Sequence, residues 1–285
     1  MKISIIGVGL LGGSFALGLK SISDEHEFIG VDSSEENAFI ALKLGIVSEI
    51  MPFEDAIHAS DLVVLATPVN VILDLLPKTL NLLPEGSMLI DFGSAKGNFR
   101  KVVENHPKRD QYISCHPMAG TENSGPESAF SGLLKHKQMI ICEREASRKE
   151  MLRIIISLFK KLDMHISYMD SADHDRHIAY VSHLSHISSF ALGLTVLDKE
   201  KDEKSIFAMA GSGFSSTVRL AKSSPDMWAP IFSQNSNNIS IALEAYINQL
   251  KQFKELIDNG AEEESYKLMD KANEIRRVLM GMEKS

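Results

Sequence analysis

Short apolar runs alternate with stretches of helical spacing through the first half of the chain. Ile3–Ile6 is a run, a glycine-rich turn follows, and Leu10–Ser21 carries apolar residues at the spacing of one helix face. Phe28–Val31 is a second run. The pattern predicts a helix over Ser33–Leu44, with Ser33 and Glu36 in capping-box spacing and Gly45 as its stop. Asp61–Ala66 reads as a continuous apolar strand closed by Thr67-Pro68, followed by a helix over Val69–Leu83. Met88–Phe92 reads as a strand closed by Gly93-Ser94, followed by a helix over Lys96–Asn105. Gln111–Cys115, Gln138–Cys142 and His165–Met169 read as further strands. Near-continuous apolar strands between helices predict a parallel sheet covered on both faces.

Near Asp170 the period changes. From there to Ser285 almost no strand-like alternation remains. The spacing predicts long helices over Ser171–Leu197, Ala229–Ile257 and Ala261–Met282, with shorter pieces around Ile206–Ala210 and Thr217–Lys222. Lys199–Lys204 is a charged run and reads as a solvated loop. The expected architecture is an α/β Rossmann-type domain over residues 1–169 and an all-helical domain over 170–285.

Composition narrows the class without changing this picture. With 285 residues, 44% apolar and 24% charged, the chain has the makeup of an ordinary globular protein with room for two modest domains. A net charge of -8 argues against a dedicated nucleic-acid or anionic-membrane binder, since both need a basic face. Cys115 and Cys142 are the two cysteines, without CxxC spacing, which fits a reducing compartment. No basic segment with an apolar core precedes the first strand, and no apolar run approaches a membrane span, so a cytoplasmic enzyme is expected.

The strongest chemical signal is Gly7-Val8-Gly9-Leu10-Leu11-Gly12, a G-x-G-x-x-G turn that follows a strand and opens a helix. Gly7 permits the tight turn, Gly9 lets backbone approach a pyrophosphate, and Gly12 lets helix and strand pack closely. The helix N-terminus offers unpaired N–H groups to the phosphates. Asp32 ends the second strand, 20 residues beyond Gly12. A carboxylate there accepts from an adenine-ribose 2′-hydroxyl and repels a 2′-phosphate, which favours NAD over NADP. Asp32 also reads as a helix N-cap. Thr67 and Pro68, at the end of another strand, join the expected cofactor contacts.

Later segments carry a resemblance. They are Asp91-Phe92-Gly93-Ser94-Ala95-Lys96, His116-Pro117-Met118-Ala119-Gly120-Thr121-Glu122, Asp173-His174-Asp175-Arg176 and Ser182-His183-Leu184-Ser185-His186. Gly213-Phe214, Arg219-Leu220-Ala221 and Pro225-Asp226-Met227-Trp228 follow. Together they resemble the prephenate/arogenate dehydrogenase family of tyrosine biosynthesis, from the glycine turn to about Asn238. The resemblance implies a homodimer formed through the helical half. It also implies NAD-dependent oxidative decarboxylation of prephenate to 4-hydroxyphenylpyruvate. In that reaction hydride leaves C4, its hydroxyl loses a proton, and loss of CO₂ from C1 makes the ring aromatic. His116 is implied at the C4 hydroxyl, Ser94 between that hydroxyl and the nicotinamide, Arg219 at a substrate carboxylate, and His186 in the pocket wall. Ser182 and Thr121 are taken as further substrate contacts. Two departures stand out: Ser185 replaces the proline of SHLPH, and Ser215-Ser216-Thr217-Val218 fills a stretch where relatives often carry Asp.

The residue types suit the chemistry. A neutral histidine accepts a proton near neutral pH, and arginine holds a carboxylate in a planar, permanently charged fork. Cys115 is expected to end a strand with His116 following it, which places His116 outside the carboxyl end of the sheet. Ser94 reads also as an N-cap for the helix at Lys96. His174, His177, His183 and His186 suggest a metal cluster. On a straight helix, however, about 100° per residue turns His174 away from His183 and His177 away from His186, so no metal site is expected. His174 reads as a surface histidine, His183 as a packed one, and Ser182, Ser185 and Ser189 as neighbours of His186. A surface ion pair is the plain alternative for Arg219. Trp228 is expected in a core or interface. Rival functions are an arogenate dehydrogenase, a β-hydroxyacid dehydrogenase or imine reductase, and a non-catalytic NAD sensor.

Overall fold

The computed structural model describes residues 1–201 and 206–282. The strands are β1 (Lys2–Ile6), β2 (Glu27–Val31), β3 (Glu49–Ile50), β4 (Leu62–Leu65), β5 (Met88–Asp91), β6 (Tyr112–Pro117), β7 (Gln138–Cys142) and β8 (His165–Met169). Between them run α1 (Leu10–Lys20), α2 (Glu35–Lys43), α3 (Phe53–His58), α4 (Val69–Leu82), α5 (Gly97–Val103) and α6 (Lys149–Lys161). They form one eight-stranded sheet in the order β3-β2-β1-β4-β5-β6-β7-β8. β1 to β6 are parallel, but β7 pairs antiparallel to β6, with His116 opposite Ile140, and β8 runs with β7. The expected all-parallel sheet is therefore corrected at its last two strands. The chain enters β7 through a loop of tight turns on the side where β6 ends, so no helical crossover returns it to the other side.

Alternation along each strand feeds two cores. Ile3, Ile5, Leu62, Val64, Ile90 and Ile113 pack with Phe15 of α1 and Phe159 of α6. Ile6, Val63, Leu65 and Leu89 pack on the other face with α4, Phe99 and Trp228. Phe15 meets Phe92 and Phe159 edge-on, at centroid distances of 5.3 and 6.2 Å. The sequence reading assigns nothing to α6, yet it buries Met151, Ile155, Leu158 and Phe159, a helical repeat. Two-residue β3 is too short to show in a pattern.

Caps settle the helix starts. Ser34, not Ser33, caps α2, accepting from Asn37 N–H at 3.2 Å. Gly45 ends α2 with φ +66°, where a side chain is disfavoured. Asp170 caps the first helix after the sheet, accepting from Asp173 N–H at 2.7 Å.

The remaining helices are α7 (Ser171–Ile178), α8 (Leu184–Glu200), α9 (Ser212–Thr217), α10 (Pro225–Gln234), α11 (Ser236–Asp258), α12 (Glu262–Ala272) and α13 (Ile275–Met282). Each long helix expected from spacing is interrupted. α7 and α8 are joined by a π-turn over Ala179–His183, α10 and α11 meet at Asn235, and α12 and α13 meet at 273–274. Arg219–Lys222 is a 3₁₀ turn, separated from α9 by Val218. Of the charged run at Lys199–Lys204, the first two residues continue α8 into a turn and 202–204 lie outside the described residues. By contacts the chain forms two compact units, Met1–Ser236 and Asn237–Ser285. The second unit consists of α11 from residue 237, α12 and α13. No helix among the described residues is long and apolar enough to cross a membrane.

Candidate active site

The strand order reverses between β1 and β4, and the glycine turn lies at their carboxyl ends, where open α/β sheets bind ligands. Gly7 has φ +94°, and a Cβ there would stand 2.9 Å from Ala66 backbone and the Thr67 methyl. A Cβ on Gly12 would stand 2.3 Å from the Gly7 carbonyl and 2.6 Å from Ile5, so α1 packs on β1 only through glycine. A Cβ on Gly9 would meet no protein atom within 4 Å, and no side chain caps α1. The N-terminus of α1 thus opens to space with its donors uncapped. Asp32 follows β2 and accepts from Val8 N–H at 3.0 Å and Ser34 N–H at 2.9 Å. It braces the glycine turn and leads into α2 without being its N-cap. The buried Thr67 hydroxyl has no partner among the described residues, and Pro68 opens α4. An orphaned hydroxyl beside an uncapped, glycine-lined helix start suits a bound dinucleotide phosphate.

Two strands over, β5 and β6 end in a buried polar knot that the sequence reading missed. Lys96 is wholly buried, and its ammonium donates to Asp91 Oδ1 and to the Cys115 carbonyl. Asp91 also accepts from the Tyr112 hydroxyl at 2.6 Å and Gly93 N–H at 2.9 Å. Asp91 and Lys96 were visible as an acid ending an apolar strand and a lysine five residues on. Only the strand register reveals that they meet.

His116 lies inside β6, one residue before its end, and is 7% exposed; the expected strand end at Cys115 moves to Pro117. Its Nδ1 lies 2.8 Å from Nε2 of His174, whose Nδ1 lies 2.8 Å from Asp175 Oδ1. His174 is 1% exposed, so its expected place at the surface is corrected. Asp175 Oδ1 accepts from Lys96 N–H at 2.8 Å, and its Oδ2 from Gly97 N–H at 2.7 Å. Asp175, not Ser94, therefore caps α5, which starts at Gly97 rather than Lys96. Ser94 is half-buried just beyond β5, and the Asp91–Ser114 register sets it beyond the same sheet end as His116. Burial pushes His116 well below the ordinary histidine value, helped by the charges of His174, Lys96 and His183. Burial also lowers His174, against the Asp175 hydrogen bond. Burial alone would raise the Asp175 carboxyl, but His174 and the two N–H groups outweigh it and hold it below the usual range.

The π-turn corrects the expected geometry of the helical histidines. One inserted residue removes about 100° of rotation, so the His174–His183 angle falls from about 180° to about 80°. Both are buried. Asn235 joins them, donating to the Asp175 carbonyl at 2.7 Å and lying 3.3 Å from His183 Nδ1. Burial pulls His183 down to about 4. Trp228 stands edge-on to His183 and stacks on His186 at a centroid distance of 3.5 Å. His186 Nδ1 donates to the Ser182 carbonyl at 3.0 Å, and burial lowers its pKa, with that carbonyl opposing and Arg219 assisting. Of the serines expected beside His186, Ser189 is instead buried, donating to the Thr217 carbonyl and accepting from Ala221 N–H, and Ser185 is exposed. Arg219 is half-exposed, 3.6 Å from Glu122, in the loop after β6 that also holds Thr121. The structure therefore brings His116 together with His174, and His186 with Trp228 and the Arg219 charge.

Comparison with known proteins gives the family. Residues 15–168 match the family described as prephenate dehydrogenase, nucleotide-binding domain, and residues 170–271 match prephenate dehydrogenase, dimerization domain. Prephenate dehydrogenase of Bacillus subtilis (strain 168) is 29% identical over 280 residues, covering 96% of this chain and 75% of the relative. The crystal structure of prephenate dehydrogenase from Aquifex aeolicus, in complex with hydroxyphenyl propionate and NAD+, superposes with a TM-score of 0.88 at 30% identity, covering 98% of each chain. Arogenate dehydrogenase from Synechocystis superposes with a TM-score of 0.77 at 26% identity, covering 98% of this chain and 100% of the other. With the greater part of its length matched in two adjoining domains, the chain belongs to the prephenate dehydrogenase family.

Proposed function

We propose that the chain catalyses NAD+-dependent oxidative decarboxylation of prephenate to 4-hydroxyphenylpyruvate. The observation that carries this reading is His116: a buried imidazole held neutral, at the carboxyl end of β6, on the same side of the sheet as the glycine turn. A neutral imidazole there accepts the C4 hydroxyl proton as the carbon becomes carbonyl-like. Bound NAD+ supplies the hydride acceptor. Gly9 and the start of α1 receive its pyrophosphate, Gly7 and Gly12 shape the turn that allows this, Asp32 holds its adenine ribose, and the Thr67-Pro68 turn lies alongside. Asp32 favours NAD+ over NADP+, since a 2′-phosphate would meet its carboxylate. Ser94 orients the hydroxyl, Arg219 pairs with a substrate carboxylate, and His186, Ser182 and Thr121 line the pocket. The acting unit is a homodimer through the helical part, with the domain boundary at 169/170. Support for prephenate over arogenate comes from relatives at 29–32% identity that are prephenate dehydrogenases.

The test is to follow reduced nicotinamide with prephenate and with arogenate, each with NAD+ or NADP+. The expected result is fastest turnover with prephenate and NAD+. Preference for arogenate would move the substrate assignment to the amine-bearing relative. No turnover with either would end the reading.

A further inference from the structure

An imidazole can accept a substrate proton at Nε2 only if, when neutral, its own proton sits on Nδ1. Nothing in an isolated histidine ensures that; the hydrogen bond at the other nitrogen decides it. In this chain the deciding contacts can be followed one by one. Asp175 accepts at both oxygens from fixed backbone donors, Lys96 N–H and Gly97 N–H, and its ionised carboxylate has no proton to give. At the 2.8 Å contact between Asp175 Oδ1 and His174 Nδ1, the imidazole must therefore be the donor. Neutral His174 is left with a lone pair on Nε2. At the 2.8 Å contact between that atom and His116 Nδ1, His116 must donate in turn. His116 Nε2 is then left with its lone pair outward, and no described residue hydrogen-bonds to it.

We propose that Asp175 and His174 are positioning residues of the active site, a two-member relay that sets the tautomer of His116 so that Nε2 accepts the substrate proton. The proposal rests on the functional reading above for what Nε2 meets, but not for the tautomer. The proton balance is simple. The C4 hydroxyl proton passes to His116 Nε2, giving an imidazolium that keeps its Nδ1–H on His174. His174 Nε2 can take that second proton, which brings the positive charge beside the Asp175 carboxylate. His116, His174 and Asp175 together gain one proton, the one the substrate hydroxyl loses. The competing arrangement places the charge on His174, which then donates from Nε2 to His116 Nδ1, and puts the proton of neutral His116 on Nε2, where it cannot accept the substrate proton. Burial and the Lys96 charge oppose a resting charge on His174. Lys96 and His183 also face His116, and both disfavour its protonation at rest. Asn235 steadies the far side by donating to the Asp175 carbonyl.

The relay crosses the fold, which is why it is invisible as a motif. His116 comes from the sheet, His174 and Asp175 from α7, and the two N–H groups from the start of α5. Asp175 thereby does two jobs, capping α5 and orienting a histidine 59 residues away in sequence.

The test has a spectroscopic arm and a kinetic arm, both on the full chain. With ¹⁵N-labelled histidine, two-bond proton–nitrogen spectra distinguish the two neutral tautomers; the signal of His116 is identified by its loss in His116→Asn. The expected result is Nδ1–H for both His116 and His174. Nε2–H on His116 would overturn the proposal, whatever substrate the protein oxidises. In the kinetic arm, His174→Gln keeps an acceptor oxygen where Nε2 stood, and His174→Leu removes it. The Gln variant is expected to keep kcat within about tenfold. The Leu variant is expected to lose about 100-fold or more, the scale of a lost acid–base group, with KM and NAD+ affinity held. Equal losses in both variants, or native kcat in the Leu variant, would overturn it. The pH profile adds a sign. Only neutral His116 accepts a proton, so kcat/KM falls as pH drops through its lowered pKa, below the ordinary histidine value of about 6.5. An acidic limb at or above that value would place the accepting group elsewhere. If the Leu variant fails to fold, the wild-type spectrum still decides. If neither prephenate nor arogenate is oxidised, the functional reading fails while the tautomer measurement stands.

Discussion

Asp32 holds two N–H groups of its own chain, one from the glycine turn and one from the start of α2. Each carboxylate oxygen can accept more than one hydrogen bond, so these contacts fix its direction without exhausting it. Replacing Asp32 with Ala removes both the proposed ribose partner and the charge proposed to repel a 2′-phosphate. The NAD+ dissociation constant is expected to rise by roughly 10- to 100-fold, from loss of a charged hydrogen bond of about 1.5–3 kcal/mol. The NADP+ constant should change less or fall. Titration of both cofactors against wild type and variant checks this, and a wild-type enzyme that uses NADP+ as well as NAD+ would refute the role. His186 illustrates a different dependence on neighbours. Its ring is pinned between Trp228 and the Ser182 carbonyl, so its orientation is set before any substrate arrives.

Between elements, buried charge ties β5, β6 and the start of α5 together. Lys96 bonds to Asp91 and to the Cys115 carbonyl next to His116, while Asp175 reaches from α7 to the first N–H groups of α5. Breaking such a pair leaves an uncompensated charge in the interior, at a cost of about 3–5 kcal/mol. Lys96→Met should therefore lower stability by about that amount in urea unfolding. Lys96→Met with Asp91→Asn should recover part of it, because the orphaned charge goes with its partner. A single variant as stable as wild type would show that the pair is dispensable. The π-turn between α7 and α8 acts at the same level. By changing helical phase it lets one continuous segment supply His174 and Asp175 behind His116, and then His183 and His186 around Trp228.

For the whole molecule, the exposed apolar residues are concentrated late in the chain. Leu194 and Leu197 on α8 are more than half exposed, as are Ile257 on α11 and Val278 and Leu279 on α13. Large apolar surface left open in one chain marks association, and residues 170–271 match a family described as a dimerization domain. Light scattering at micromolar concentration is expected to give twice the chain mass. Leu279→Glu should shift the protein toward monomer. A wild-type monomer would sink the homodimer.

Local physics makes the first half of this protein readable from its residues in order. Apolar runs separated by turn residues give seven of the strands, because strand period and burial are local properties of the chain. Gly7, Gly9, Gly12 and Asp32 announce a dinucleotide site for the same reason, since backbone clearance and a strand-end carboxylate lie within one βαβ unit. His116, Ser94 and Arg219 could be proposed as site residues from the segments around them. Their partners could not. The antiparallel β7, the π-turn that rotates His183 toward His174, and the breaks at Asn235 and Val218 depend on how distant segments pack. So do the contacts of Lys96 with Asp91 and of Asp175 with α5. Each joins residues far apart in sequence, and no periodicity records which buried donor will find which acceptor. The sequence offers His116 as the proposed base; the packing of α7 against β6 and α5 decides which of its nitrogens is left to accept a proton.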